Sequence, residues 1–337
     1  MDTMENLSTA DARRWHRPLV AVAFVGGVAT LIGLIGLLVD PRELVGAPLW
    51  AKPLKFSISS VIYSLSWAWL IGQLTRHRRA AWRAGTVVAV ALIVELTLIV
   101  VDAAIGNRSH FNVSTVVDTI VWSTMAVMIS AVWIATLIVS IMLWSVRIED
   151  AARRIAVRAA SLIALLGLAL GFLMTIPTAS QRADFEGIAG AHTVGASDGG
   201  AGLFILGWST TDGDLRIPHF VGMHALQAIP LFLLALEFAS RRIVGLRTPA
   251  VRAGFVRTAA VGYVLMLGLL AWQALRGQSI VQPDAITLLA SAAIAAVVLV
   301  GFGLSWTRRE PARRGPSTGR TSTARRGYET SSPSRRA

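Results

Sequence analysis

Eight long apolar segments constrain the fold of this chain more than any other feature. A helix needs about 20 apolar residues to cross a hydrocarbon layer of about 30 Å, and it satisfies its own backbone hydrogen bonds there. The 337-residue chain is also 54% hydrophobic and only 15% charged, which is typical of membrane proteins. The sequence therefore predicts an all-α, polytopic transmembrane helix bundle. The predicted spans are residues 19–39, 54–74, 85–105, 115–143, 156–176, 218–240, 257–275 and 285–306.

The spans divide the chain into three parts. Residues 1–18 are predicted to form a cytoplasmic N-terminal segment, residues 19–306 the transmembrane domain, and residues 307–337 an Arg-rich cytoplasmic tail. The tail has almost no apolar side chains, so we expect it to be disordered. An outer loop, 177–217, joins the fifth and sixth spans. Its apolar run AGLFILGW (201–208) predicts a cap that packs back into the mouth of the bundle.

The basic residues predict the orientation. With eight spans and both termini inside, 25 of the 32 Lys and Arg residues fall on the cytoplasmic side, as the positive-inside rule requires. This pattern favours a multi-pass protein of the plasma membrane. It also explains the net charge of +13, so the expected partner is the lipid bilayer and not nucleic acid. The seven outer cations are Arg42, Lys52, Lys55, Arg108, Arg182, Arg216 and Arg276.

The chain has no Cys, which excludes disulfides, thiolate metal sites and covalent haem attachment. Ionisable side chains at membrane depth are therefore the main candidates for function, because each costs several kcal/mol unless it is paired or hydrated. Asp102 follows Glu95 by seven residues and lies on nearly the same face of the third span. A protonated, hydrogen-bonded Glu95 that only joins helices is an equal alternative. Glu237 is expected to pair with Arg241, four residues later.

Three further polar side chains begin the sixth span. On a straight helix His219, His224 and Gln227 share one broad arc. A spacing of five residues does not suit two His ligands of one metal on one helix. A metal site built with His110 from another segment stays open. Arg108, His110 and Asp118 belong to the loop before the fourth span and to its first residues.

Lys52 and Lys55 are the only lysines, and both lie where the second span begins. Cations there oppose the helix dipole, so Lys55 needs a counter-charge. Asp102, Asp118 or an external anion would supply it, whereas snorkelling to lipid headgroups is the alternative. The predicted ligand-binding set is Lys52, Lys55, Asp102, Arg108, His110, Asp118, His219, His224 and Gln227.

Three blocks carry a resemblance: KPLKFSIS (52–59), RSHFN (108–112) and GDLRIPHFVGMHALQ (213–227). They resemble those of a group of uncharacterised bacterial multi-pass membrane proteins, over residues 45–230 or so, and the resemblance implies no activity.

The alkaline ceramidase and adiponectin-receptor superfamily is a partial comparison. Its members have about seven spans, a Ser, an Asp and three zinc-binding His. The partial counterparts here are Ser57 or Ser59, Asp102, His110, His219 and His224. The His spacing and the number of spans differ, so membership is not assigned.

Four classes of function remain open. The favoured one is binding or transport of a small polar or anionic solute in an outward-facing polar pocket. The second is a membrane-embedded metal-dependent hydrolase with His110, His219 and His224 as candidate ligands. The third is electron transfer through a haem held by two His, for instance His110 and His219. The fourth is a structural or sensory subunit. The sequence identifies no cofactor.

Overall fold

A computed structural model describes residues 15–74 and 76–307, with the side chain of residue 73 left out. The predicted tail and most of the N-terminal segment therefore lie outside the described residues. The described chain is mainly helical and has two short β-hairpins, each with strands of two residues. Its helices are α1 (Arg17–Val39), α2 (Ala51–Gln73), α3 (Arg78–Ile105), α4 (Val116–Ser145), α5 (Ala151–Leu170), α6 (Ala179–Ala183), α7 (Arg216–Met223), α8 (Ala225–Ala239), α9 (Pro249–Leu275) and α10 (Ala285–Trp306). Short 3₁₀ turns cover Gly171–Thr175 and Val244–Arg247.

Seven helical segments in the described part are long and apolar enough to cross a membrane. The pair α7 and α8 makes an eighth span if it is counted as one, although the two helices are bent by 46°. The all-α, polytopic bundle predicted from the sequence is confirmed. Its predicted straight sixth span is wrong, because the helix breaks at His224, which ends α7 and precedes α8.

Side-chain caps and glycine fix several helix ends. Thr115, Asp150 and Asp284 each accept a hydrogen bond from the backbone N–H three residues later, at the starts of α4, α5 and α10. Such caps satisfy donors that have no partner inside the helix. Gly106 ends α3 with φ +76°, a left-handed conformation that glycine adopts without steric cost.

The helices pack as a bundle with α5 near its centre. Helix α5 contacts α4, α7, α8 and α9, whereas α1 packs on α2 and α10 packs mainly on α9. Gly167 of α5 and Gly222 of α7 meet where these helices cross. A Cβ added at Gly222 would lie 2.4 Å from the Cα of Gly167, so only glycine allows this approach.

Two short hairpins and the long loop lie at the same end of the bundle, which we call the loop end. Strand β1 (Glu43–Leu44) pairs with β2 (Ala47–Pro48), and β3 (Thr193–Val194) pairs with β4 (Gly213–Asp214). The loop before α4 is joined to the long loop, since Val113 N–H donates to the carbonyl of Gly187 at 2.8 Å.

The opposite end is held by ion pairs between helices. Arg153 of α5 bonds Glu237 of α8 at 3.0 Å, and Arg252 of α9 lies 3.7 Å from Asp150. The predicted pair between Glu237 and Arg241 is therefore wrong. Arg241 instead lies over the ring of Phe238, because the partner of Glu237 comes from a neighbouring helix.

Candidate functional site

A cavity of about 610 Å³ lies at the loop end of the bundle. It is enclosed by the C-terminal part of α1, the start of α2, the β1–β2 hairpin and the 107–110 and 192–212 segments. Its volume is within the usual range for small-molecule sites, roughly 300–1,000 Å³. Four cations line it: Lys52, Lys55, Arg108 and Arg216.

Lys52 lies in the first turn of α2 beside His110, which also lines the cavity. The Lys52 amine is 3.0 Å from Nδ1 of His110. An ammonium group only donates, so Nδ1 accepts and the imidazole proton belongs on Nε2. Burial, with smaller contributions from Lys52 and His192, lowers the pKa of His110 well below 6.5. His110 is thus a neutral acceptor that adds no negative charge beside Lys52.

The apolar run of the long loop forms a small hairpin loop, residues 202–209. Gly202 and Ser209 form a β-bridge at its base. The predicted cap is therefore a folded segment. Its apolar residues do not all pack into the mouth of the bundle, since Phe204 at the tip remains 89% exposed.

Two cations of the cavity fix this hairpin loop through its backbone. Lys55 donates to the carbonyl of Leu206 at 2.6 Å, and Arg216, the first residue of α7, donates to the carbonyl of Gly207. Arg216 also makes a bidentate pair with Asp214, at 2.9 Å and 2.5 Å. The Asp214 side chain is completely buried, and the bidentate pair gives Arg216 a carboxylate partner.

Asp198 neutralises a third cation. Its carboxylate is 3.4 Å from Arg108 and 2.8 Å from Nδ1 of His192, and it accepts backbone hydrogen bonds from His192 and Thr193. Burial raises the pKa of Asp198, but the hydrogen bonds from His192 and Thr193 outweigh it and lower that pKa below its usual range. Asp198 is therefore ionised at neutral pH and balances Arg108.

The two lysines differ from these arginines. Among the residues that the structure describes, neither Lys52 nor Lys55 has a carboxylate within 4 Å; their bonds go to His110 and to the Leu206 carbonyl. Both lysines line the cavity, and both residues are half-buried. The cavity therefore holds two lysine amines without a directly bonded carboxylate.

The predicted counter-charges of Lys55 lie elsewhere. Asp118 accepts from Asn107 at 2.7 Å and from the Thr115 hydroxyl at 2.6 Å, so it stabilises the start of α4. Asp102 is buried within α3, and its Oδ2 has no hydrogen-bond partner. Neither lines the cavity. The pairing of Lys55 with Asp102 or Asp118 is therefore wrong, because the long loop supplies the acceptor that the sequence pattern could not place.

The His and Gln side chains of α7 and α8 also lie outside the cavity. His219 donates from Nδ1 to the carbonyl of Gly167 at 2.9 Å, which ties α7 to α5. His224 donates from Nδ1 to Oε1 of Gln227 at 3.2 Å, across the helix break. His224 Nε2 and Gln227 Nε2 are buried without a partner. The straight-helix arc predicted for these three residues does not form.

The three candidate metal ligands are not brought together. In residues 15–74 and 76–307 no group of three His, Asp or Glu side chains is arranged to hold a metal ion. His110 lies in the cavity, whereas His219 bonds a carbonyl of α5. The two His proposed for a haem therefore do not line this cavity together.

Sequence reasoning left three polar residues out of the predicted set: His192, Asp198 and Arg216. All three line the cavity. In the sequence these three residues are visible only as isolated polar residues in a glycine-rich loop. The loop path that joins Asp198 to Arg108 cannot be read from spacing, because 90 residues separate the two.

Searches of known protein families, of curated proteins and of solved structures give no match to this chain. The resemblance of the three sequence blocks to bacterial multi-pass proteins therefore stays a prediction. The function has to be argued from the geometry of the site.

Proposed function

We propose that this helical membrane protein binds a small anionic solute in the cavity at the loop end. The observation that carries the proposal is the charge of that cavity. Arg108 and Arg216 each bond a carboxylate, whereas Lys52 and Lys55 bond only a neutral ring and a backbone carbonyl. Cations removed from bulk water favour a counter-ion strongly, and the cavity has room for one.

The position of the lysines adds to this argument. Both lie in the first turns of α2, where the partial positive charge of the helix end makes a cation unfavourable and an anion favourable. A bound anion would offset the amines and the helix end together. Snorkelling is the weaker alternative, since both amines bond protein atoms at the cavity.

We further propose that the protein belongs to the plasma membrane with both termini cytoplasmic and the cavity facing outward. The positive-inside pattern supports this orientation. It would present the lysines to solutes outside the cell, and the long loop would cover them. The bent pair α7 and α8 is the feature that would serve transport, because discontinuous helices form the substrate sites of many transporters.

Calorimetric titration of the full chain in phosphatidylcholine nanodiscs tests the proposal. The probes are inorganic phosphate and succinate. We expect one of them to bind the wild type, and Lys55→Met and Lys52→Gln each to weaken that binding about tenfold, the loss of roughly one charge-assisted hydrogen bond. Uptake of the same anion into proteoliposomes separates transport from binding.

The matched control is Arg257→Met, which removes an exposed cation near the opposite end of α9. It should bind like the wild type. If neither anion binds the wild type, or if all four proteins bind equally, the cavity is not an anion site. Thermal unfolding of each variant establishes that it is folded.

A further inference from the structure

The cavity has two unlike walls. One carries the cations described above. The other is apolar and comes from the outer part of α1 and from the 202–209 hairpin loop: Leu34, Leu37, Leu38, Leu203, Phe204 and Ile205. A site for a small hydrophilic anion alone has no use for such a wall.

The apolar wall continues into the outer surface of the bundle. Leu34 is 45% exposed, Leu38 86% and Phe204 89%, although all three line the cavity. Helix α1 is one of the helices long and apolar enough to span, so its exposed side chains face lipid. The cavity therefore opens sideways, between α1 and the hairpin loop, from the lysines to the lipid-facing flank.

Two residues with a strained backbone lie in the segments that enclose the cavity. Val45 of the β1–β2 hairpin has φ +52° and Ile205 of the hairpin loop has φ +61°, and both line the cavity. Left-handed backbone is rare for β-branched residues, and such residues gather at ligand-binding segments, where the surroundings hold them in place.

We propose that the ligand is an amphiphilic anion: a phosphate or carboxylate headgroup at Lys52 and Lys55, joined to a hydrocarbon chain that lies along Leu34 and Leu38. This rests on the proposed function and specifies its ligand class. The headgroup reaches the amines while the chain stays in apolar surroundings, so the molecule exchanges directly with the adjacent leaflet.

A chain-length series tests the inference. Inorganic, butyl, hexyl and octyl phosphate are titrated into the full chain in phosphatidylcholine nanodiscs, with empty nanodiscs as the blank. Each buried methylene favours binding by about fourfold. We therefore expect octyl phosphate to bind at least about tenfold more tightly than butyl phosphate, since part of the chain stays in contact with lipid.

Two double variants of α1 separate the cavity wall from the bilayer. Leu34→Ala with Leu38→Ala should abolish most of the gain with chain length, measured as the ratio of octyl phosphate affinity to inorganic phosphate affinity. Leu31→Ala with Ile35→Ala removes residues of the same helix that are 61% and 59% exposed and do not line the cavity. It should behave as the wild type.

The outcomes distinguish the two proposals. If inorganic phosphate binds but chain length adds nothing, or adds equally in both double variants, the amphiphile inference is overturned and anion binding stands. If neither succinate nor any of the phosphates binds the wild type, anion binding fails, and the amphiphile inference fails with it. Phosphatidylglycerol added to the nanodisc identifies the source of the ligand. If the ligand is a lipid, phosphatidylglycerol should compete with octyl phosphate. If the ligand is a soluble amphiphile, it should not compete.

Discussion

Lys52 and His110 form an unusual pair, since two groups that both carry positive charge when protonated bond each other at 3.0 Å. The pair is stable only while His110 is neutral. Burial and the Lys52 charge keep it so, by holding its pKa well below 6.5. Protonation would place a second cation against the first, so acid should act on this site before it acts on the carboxylates.

The sign of the pH effect follows from linkage. Between the lowered folded pKa and the unfolded value of 6.5, the unfolded state binds the extra proton. The free energy of unfolding should therefore fall as the pH drops below 6.5, by up to about 1.4 kcal/mol per pH unit from His110 alone. His192 adds to the same trend, since burial also lowers its pKa. Asp198 affects the free energy of unfolding only below about pH 4, near the pKa of an Asp in the unfolded chain.

His110→Gln isolates this contribution, because the Gln side chain can still accept from Lys52 but does not titrate. We expect its stability to fall less between pH 7 and pH 5.5 than that of the wild type, measured by thermal unfolding in detergent. The control is His77→Asn, at an exposed His of the opposite end. Its stability should change with pH as that of the wild type does. Equal slopes for all three proteins would mean that His110 is not buried neutral.

At the residue scale, the sequence identified part of the site for a sound reason. Basic residues are conspicuous on the sparsely charged side, and Lys52, Lys55, Arg108 and His110 of the predicted set do line one cavity. Asp102 and Asp118 were grouped with them by depth alone. Depth does not determine contact, which depends on helix rotation and on the path of the long loop.

At the scale of elements, the crossing of α5 and α7 depends on two glycines. The backbones of Gly167 and Gly222 touch, and His219 bonds the Gly167 carbonyl in the same turn. This crossing holds α7, and with it Arg216, at the edge of the cavity. The helix break at His224 then allows α8 to follow a different direction through the bundle.

Gly222→Ala should destabilise the protein by about 1–3 kcal/mol, because its Cβ would overlap the backbone of α5. It should also weaken anion binding by shifting Arg216. Gly268→Ala is the matched control: it lies in α9 with nothing within 4 Å of an added Cβ, and alanine favours a helix by up to about 1 kcal/mol. Thermal unfolding that ranks the two variants equally would contradict the proposed crossing.

Helix positions were predictable and helix breaks were not. Apolar length predicted α3 to end at residue 105, where α3 does end. The bend between α7 and α8 lies at His224, six residues before Pro230, the proline inside α8. A close contact between distant glycines has no signature in the local pattern, so the sequence indicated one straight span.

For the whole molecule, charge asymmetry remains the basis of the proposed orientation. In the described chain the cavity lies at the loop end, whereas the Arg clusters lie at the opposite end. The absence of Cys allows this orientation to be tested with single introduced thiols and no background.

Ala183→Cys places a thiol in α6, at the loop end, and Ala250→Cys places one at the start of α9, at the opposite end; both positions are exposed. In intact cells a membrane-impermeant maleimide should label the first and not the second. Lysis should allow both to react. If only Ala250→Cys is labelled in intact cells, the orientation is the opposite of the proposed one, and the cavity faces the cytoplasm.

The use of arginine for every other basic position has a chemical consequence. Lys52 and Lys55 are the only side-chain amines in the chain, and both line one cavity. An acylating reagent therefore modifies the N-terminal amine and this cavity, and intact mass counts the groups added. The unmodified wild-type protein thus already carries a selective chemical handle at its candidate site, and whatever occupies the cavity should slow acylation there while the N-terminus serves as the internal standard.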